Sequence, residues 1–337
     1  MDRNQPLTQP LLDVVAIGNA IVDVIAQADD AFLAESALTK GSMQLIDAET
    51  ADLLYSQMGA ALEASGGSAA NTLAGLAALG RKCGFIGQVA DDQLGQIFTH
   101  DIRALGVTYT TAPSPRDVPT ARCLVLVTPD AQRTMNTFLG ASQHLPASAL
   151  DADLIRSAGI LYLEGYLWDP DEPRKAMRNA IAIARDAGRK IAFTLSDGFV
   201  IERHRDDFMD LIDQGLIDIL FSNEAEIQAL TRIDGFDKAV EAVAAKVPLL
   251  VSTRSEKGAV AITQGVRYEV DAAPVAQVVD TTGAGDLFAA GFLAAHVEGK
   301  DIEHCLKLGA IAAAEVISHY GARPEADLKA LRQSSGL

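Results

Sequence analysis

The chain has 337 residues, 28 of them basic and 45 acidic, for a formal net charge of -17; its hydrophobic fraction is 49% and its charged fraction 22%. A field of that sign repels nucleic-acid backbones and anionic bilayers, and the composition excludes wholesale disorder. Cys83, Cys123 and Cys305 show no CxxC spacing, so neither a disulfide framework nor a zinc cluster is indicated and a reducing, cytoplasmic setting fits.

The opening MDRNQPLTQP lacks the basic-then-apolar order of a secretory signal and reads as a short frayed leader. LDVVAI, residues 12–17, is a buried strand closed by Gly18-Asn19. A second strand over 20–25 carries Asp23 among apolar neighbours. A short strand follows at 42–46, and helical spacing runs over 48–64. SGGSAANTLAGLAALG, residues 65–80, is a glycine turn opening a small-residue helix over 68–79. A strand at 83–89 leads into a helix ending near Gly106. From 107 the chain turns richer in Thr and Pro, with strands at 121–128 and 133–138 joined at Pro129-Asp130. Pieces 19–46 and 107–140 are read as one small sheet, a lid on a large domain built from 1–18, 47–106 and 141–337. Within 150–330, strands at 160–163, 190–195, 219–222, 249–253 and 258–262 alternate with helices at 172–187, 205–214, 224–230, 236–245, 285–295 and 301–317. That is the pattern of an α/β fold with a doubly wound, mainly parallel sheet, whose ligands sit beyond the carboxyl ends of strands. No apolar run reaches bilayer-spanning length.

The most informative segment is VVDTTGAGDLFAAG, residues 278–291. An extended stretch enters a glycine turn that opens a helix, and free N–H groups at such a start form an anion site. The amides of Ala284, Gly285 and Asp286 are the expected donors, with Gly283 making the turn. A carboxylate at Asp286, beside developing negative charge, suits proton removal from an attacking hydroxyl; the plainer alternative is that Asp286 only caps the helix. There is no GxxxxGK[ST] loop, and no GxGxxG follows the first strand, which argues against a dinucleotide-dependent oxidoreductase. On the acceptor side, an ionised Asp23 in an apolar strand needs hydrogen-bonding partners, which two ribose hydroxyls would supply. Asn19, Gly66, Gly67 and Asn71 are grouped with it, although Asn71 could equally bond within its own turn.

DTTGAGD (280–286) and GGSAANT (66–72), in this order and at this separation, resemble the two signatures of the ribokinase-like (PfkB) carbohydrate kinase family, and the likeness extends over about residues 13–324 toward its adenosine kinase branch. The resemblance implies a three-layer α/β/α sandwich with a β-sheet lid, Asp286 as catalytic base and Gly283, Ala284 and Gly285 as anion hole. It implies that Arg133 on the lid reaches the transferred phosphate, and that Asp23 and Asn71 hold sugar hydroxyls. Asn223 and Glu226, also spaced as a capping box, match an Asn-x-x-Glu motif that orders Mg²⁺ through water. Thr253 would meet the ATP phosphates, and Ala310 would lie near the ATP base. The carbonyls of Asp280 and Thr282 would hold a monovalent cation, K⁺ in some members. Met43, Leu45, Cys123, Phe138, Tyr166 and Phe193 are candidates for the nucleobase pocket, or else for core. The implied activity is ATP-dependent phosphorylation of the adenosine 5′-hydroxyl, in purine salvage, by a monomer or homodimer. The alternatives are a related kinase for a free sugar or another nucleoside, and a non-catalytic small-molecule-binding protein.

Overall fold

A stretch buried on both faces must be apolar at every position, and in the strand Leu12–Ile17 (β1) the four residues after Asp13 form such a stretch. Val14 and Ala16 enter one hydrophobic core while Val15 and Ile17 enter another. The computed structural model describes residues 10–130 and 132–337, so the leader read over residues 1–10 lies, all but its last residue, outside the described residues.

The further strands, in chain order, are Ile21–Gln27 (β2), Met43–Leu45 (β3), Ala61–Gly66 (β4), Cys83–Ile86 (β5), Thr108–Tyr109 (β6), Ala121–Val127 (β7), Arg133–Phe138 (β8), Ala158–Glu164 (β9), Lys190–Thr194 (β10), Ile219–Asn223 (β11), Leu249–Thr253 (β12), Ala259–Thr263 (β13) and Val266–Val270 (β14). They form two sheets. The large one runs β14-β13-β12-β11-β10-β9-β1-β5-β6 and is parallel except for the β12–β13 and β13–β14 pairs. On one side the helices Ser68–Ala78, Ala284–Val297 and Ile302–Val316 pack against it. Asp171–Asp186, Gly198–Asp213, Glu224–Thr231 and Phe236–Ala244 cover the other. The result is the three-layer α/β/α sandwich expected from the resemblance.

The second sheet runs β3-β8-β7-β2-β4. One of its strands corrects the sequence reading. The helix expected over 48–64 ends at Gln57, and residues Ala61–Gly66 pair with β2 as an edge strand. ALEAS has good local helix propensity, so only the non-local pairing with β2 makes it extended. The strand lies outside the two pieces assigned to the lid. Thr108 and Tyr109, inside one of those pieces, pair instead with β5 of the large sheet.

Two seams set the site's position. The chain passes from β1 to β2, and so from one sheet to the other, through Gly18, Asn19 and Ala20 alone. It returns from β4 through Gly67, where φ is +100° and a Cβ would lie 2.2 Å from the Asn19 carbonyl, so no other residue fits. The second seam joins Ser68–Ala78 to Ala284–Val297: a Cβ on Gly75 would meet Leu287 Cδ1 at 2.6 Å and Ala290 Cβ at 2.7 Å. This close approach brings the two helix starts together. Among the described residues no helix is long and apolar enough to cross a membrane.

Candidate active site

The two sequence signatures, more than two hundred residues apart, meet in a pair of hydrogen bonds. Asp286 Oδ1 accepts from Ser68 Oγ at 2.6 Å and Oδ2 from Asn71 Nδ2 at 3.1 Å. Asp286 is therefore more than a cap. Burial pushes its carboxyl above the usual carboxylate range, while the bonds from Ser68 and Asn71 and the charge of Arg323 pull it back. Asn71 Oδ1 is buried with no partner, an acceptor open to a hydroxyl donor. Neither side-chain atom of Asn71 bonds within its own turn, since its amide nitrogen is committed to Asp286 and its oxygen is free.

Beside this pair the helix Ala284–Val297 opens on Gly283, whose left-handed backbone (φ 78°) turns the chain. The Ala284 N–H donates to the Thr281 carbonyl at 3.2 Å, so it closes the turn and is not an open donor. The Gly285 and Asp286 N–H groups have no acceptor among the described residues, and Gly285 is exposed with open space around it. Of the donors Ala284, Gly285 and Asp286, two are therefore free, and the Gly283 N–H just before them likewise has no acceptor among the described residues.

Facing it is the open side of the second sheet. Register places Asp23 beside Ala64 and Cys123, Cys123 beside Thr137, and Thr137 beside Leu45. Strand alternation then puts Met43 and Arg133 on the Asp23 face as well. Phe138 pairs with Arg122 and so belongs to the opposite face, where its ring lies 5.9 Å from the Arg122 guanidinium. There Arg122 pairs with Asp52 of the Ala48–Gln57 helix. The strand parity of Phe138 thus removes it from the proposed base pocket. Phe193 is removed too, being wholly buried against Trp168 and Phe208. Cys123 is buried and accepts from Thr137 Oγ1. Met43 is 47% exposed, Leu45 60% and Tyr166 37%.

Asp23 presses so closely on the β4 turn that a Cβ on Gly66 would lie 2.4 Å from its Oδ2. Its carboxyl is pushed up to about 6, chiefly by burial, against the pull of Arg323 and Arg133 and with a further push from Asp286 and Asp280. Arg133 Nη1 is 2.7 Å from Asp280 Oδ2, and its Nε and Nη2 are buried without partners. Asp280 is fully engaged: Oδ1 accepts from Thr282 N and Oγ1, and Oδ2 from Gly321 N.

Asn19 was grouped with the substrate contacts, but it is buried and turned inward. Both its backbone N and its Nδ2 donate to Glu164 Oε1 at 2.7 Å, while Glu164 Oε2 accepts from Ala69 N at 2.8 Å. Sequence reading missed Glu164. Its signal was a carboxylate ending the apolar strand AGILYLE, which burial pushes up to about 7. Ser68 and Arg323 were missed as well; neither stands out locally, because their partners lie far away in sequence.

At the carboxyl ends of β11 and β12, Asn223 and Thr253 are register neighbours. Asn223 and Glu226 form a complete capping box. Asn223 Oδ1 accepts from Glu226 N, Glu226 Oε2 accepts from Asn223 N, and Glu226 Oε1 accepts from Asn223 Nδ2 at 2.6 Å. Burial, with Asp197 nearby, pushes the Glu226 carboxyl up to about 7. Among the described residues no cation partners it, so a cation nearby would relieve that cost. Among the described residues no group of three or more His, Cys, Asp or Glu side chains is placed to hold a metal ion directly. The side chains thus fit an ion that keeps most of its waters, as Mg²⁺ does. Ala310 lies farther off, on the Ile302–Val316 helix, beside a shallow cleft with Asp271 and Lys307.

Comparison with known proteins adds to this geometry. The profile of the pfkB family carbohydrate kinases matches residues 12–328. A solved structure from Rhizobium etli, described as a probable sugar kinase, is 48% identical and superposes with a TM-score of 0.90 over 97% of this chain and 99% of its own. The adenosine kinase of Sinorhizobium meliloti is also 48% identical, with a TM-score of 0.89 over 96% and 99%. A ribokinase of Arabidopsis thaliana is 30% identical over 272 residues, 77% of this chain and 69% of that protein.

Proposed function

This chain belongs to the pfkB family of carbohydrate kinases, and from that premise we propose that it transfers the γ-phosphate of ATP to the 5′-hydroxyl of adenosine, giving AMP and ADP. Membership makes it a phosphotransferase for a sugar or nucleoside. The choice of adenosine is supported by the 48% identity to a protein named adenosine kinase.

One observation carries the mechanism. Asp286, held by Ser68 and Asn71, stands at a helix start with two unused N–H groups, facing Asp23 across the cleft. In the proposed reaction Asp23 accepts from ribose hydroxyls and fixes the acceptor. Asp286 takes the 5′-hydroxyl proton as the new O–P bond forms and the bond from the γ-phosphorus to the bridging oxygen breaks, releasing ADP. The Gly285 and Asp286 amides receive charge on the transferring group. The two spare donors of Arg133 are suited to the same oxygens, bidentately, with Asp280 as the partner that holds the guanidinium meanwhile. Thr253 and Asn223 end adjacent strands on the nucleotide side. Mg²⁺ brought by ATP would be held through water by Asn223 and Glu226, and it neutralises phosphate charge when bound. The carbonyls of Asp280 and Thr282 are the proposed seat of a monovalent cation. Met43, Leu45, Cys123 and Tyr166 are the proposed walls for the purine, and the physiological role is purine salvage.

The test is a coupled ATP assay across adenosine, guanosine, inosine, ribose and fructose, with Mg²⁺ and with or without K⁺. Adenosine is expected to give the highest kcat/KM. A free sugar preferred at least about tenfold would replace the substrate, and would be the second reading that the likeness to a probable sugar kinase supports. No turnover of any acceptor would leave a binding protein.

A further inference from the structure

Arg323 lies beyond both signatures, in the segment that follows the Ile302–Val316 helix. All four of its hydrogen bonds go to one turn. Nε and Nη2 donate to the Ser65 carbonyl at 3.1 and 2.8 Å, Nη2 donates to Ser65 Oγ at 3.1 Å, and Nη1 donates to the Ala70 carbonyl at 3.0 Å. Ser65 belongs to β4 in the second sheet, and Ala70 to the Ser68–Ala78 helix in the main body. The guanidinium therefore staples the two sheets at their junction. Between its anchor points lie Gly66, against which Asp23 packs, and Ser68, which holds Asp286; Asn71, the other partner of Asp286, comes next.

The charge on this fork is not cancelled locally. Arg323 forms no direct ion pair among the described residues, because carbonyl oxygens occupy its donors. Its field falls on Asp23 and Asp286, with Asp101 a weaker neighbour. From other elements, Asp286 is faced by the Tyr162 hydroxyl and Glu164 of β9, by Tyr166 just after that strand and by Asp23 of β2. Asp23 is faced by Arg133 and Asp280 and, in its own sheet, by Cys123. Arg133 is paired to Asp280 and is the group that phosphate would engage, so Arg323 is the cation left to serve both carboxylates.

We propose that Arg323 is a positioning residue for the phosphoryl transfer, which clamps the Ser65–Ala70 turn and supplies the one positive charge shared by the acceptor-holding Asp23 and the base Asp286. The inference rests on the kinase reading of the site for its consequence, but not for its electrostatics. Removing the charge must raise both carboxyls, because a cation favours the ionised form, and activity must then be lost at a higher pH. Loss of the clamp alone would move neither.

The experiment compares wild type with R323Q and R323K. Protein labelled with ¹³C-aspartate is titrated by NMR, with D23N and D286N assigning the resonances. The acid limb of kcat/KM is then measured with adenosine. In R323Q both carboxyl titrations and the acid limb should move up by about one pH unit. In R323K, which keeps the charge and loses the fork, they should stay near wild type while the acceptor KM rises several-fold. Unmoved titrations in folded R323Q, or an unmoved KM in R323K, overturn the proposal. If R323Q does not fold, R323K decides: carboxyl titrations moved up with the charge retained, or an unmoved KM, overturn the proposal. An inactive wild type whose carboxyls still respond to R323Q sinks the kinase reading and leaves the electrostatic role standing.

Discussion

The two sheets of this molecule obey different rules. The large sheet is covered on both faces, and its central strands are apolar at nearly every position, so its residues chiefly supply stability. The five-stranded sheet packs one face inward through Val22, Val24, Leu124 and Leu126, and turns the other, with Asp23 and Arg133, toward the Asp286 helix. Polar groups concentrate where one face is left uncovered and along the line where the sheets join. In the proposed reaction the substrate-facing groups thus sit on surfaces that folding does not need to bury.

That division yields variants that should separate turnover from stability, and their failure to do so would break it. The largest effect is expected from Asp286→Asn. It keeps the contacts to Ser68 and Asn71 in part but removes the base, so kcat should fall by about 10²–10⁴-fold, with melting temperature and adenosine binding nearly unchanged in calorimetry. Equal turnover would remove Asp286 from its role. Asp23→Asn should act on binding, raising the adenosine KM by roughly ten- to a hundredfold, as expected when a buried charged partner is lost.

The same variant should reveal what a carboxylate pressed against the β4 turn costs. Asp23 rises from 3.8 to about 6 on folding. A raised folded value means the native state holds the proton more tightly, so stability is fully present below about pH 4 and is lost as pH climbs through 6. Asp23→Asn should therefore melt higher than wild type at pH 7, by an amount on the order of 1–2 kcal/mol, and should lose that advantage at pH 4. A constant difference across the range would show that Asp23 is not buried at a cost.

Gly75→Val tests the other region, the seam of small residues that joins the helices Ser68–Ala78 and Ala284–Val297. With Leu287 and Ala290 already too close for a Cβ, overpacking should cost about 1–3 kcal/mol and, by parting the two helices, also lower kcat. Unaltered urea unfolding would deny the seam. Glu226→Gln should have the smallest effect, about 0.5–2 kcal/mol of cap stability, together with a raised Mg²⁺ requirement in the assay; an unchanged Mg²⁺ requirement leaves only the capping role.

Much of this was legible beforehand because some chemistry is local. Gly283 to Asp286 must form a turn and a helix start whatever surrounds them, and the capping box of Asn223 and Glu226 closes within four residues. The bounds of β1 and β12 could be read from apolar runs, and those of β8 from the hairpin turn before it. What escaped was everything with a remote partner. Ala61–Gly66 becomes a strand only by pairing with β2. Phe138 turns away from the site because of register parity. Asn19 faces inward because Glu164, 145 residues along, waits there with two oxygens.

The amino-acid sequence by itself determined that this protein would bury parallel strands, open a helix on a glycine turn and keep a carboxylate beside it, since backbone sterics and hydrophobic period act over a few residues. Only the tertiary structure decided which carboxylate meets which donor, which strand face looks onto the cleft, and that Arg323 lies beneath both acids. Those outcomes depend on packing between segments hundreds of residues apart, where displacing a contact by one residue reverses which side a side chain faces.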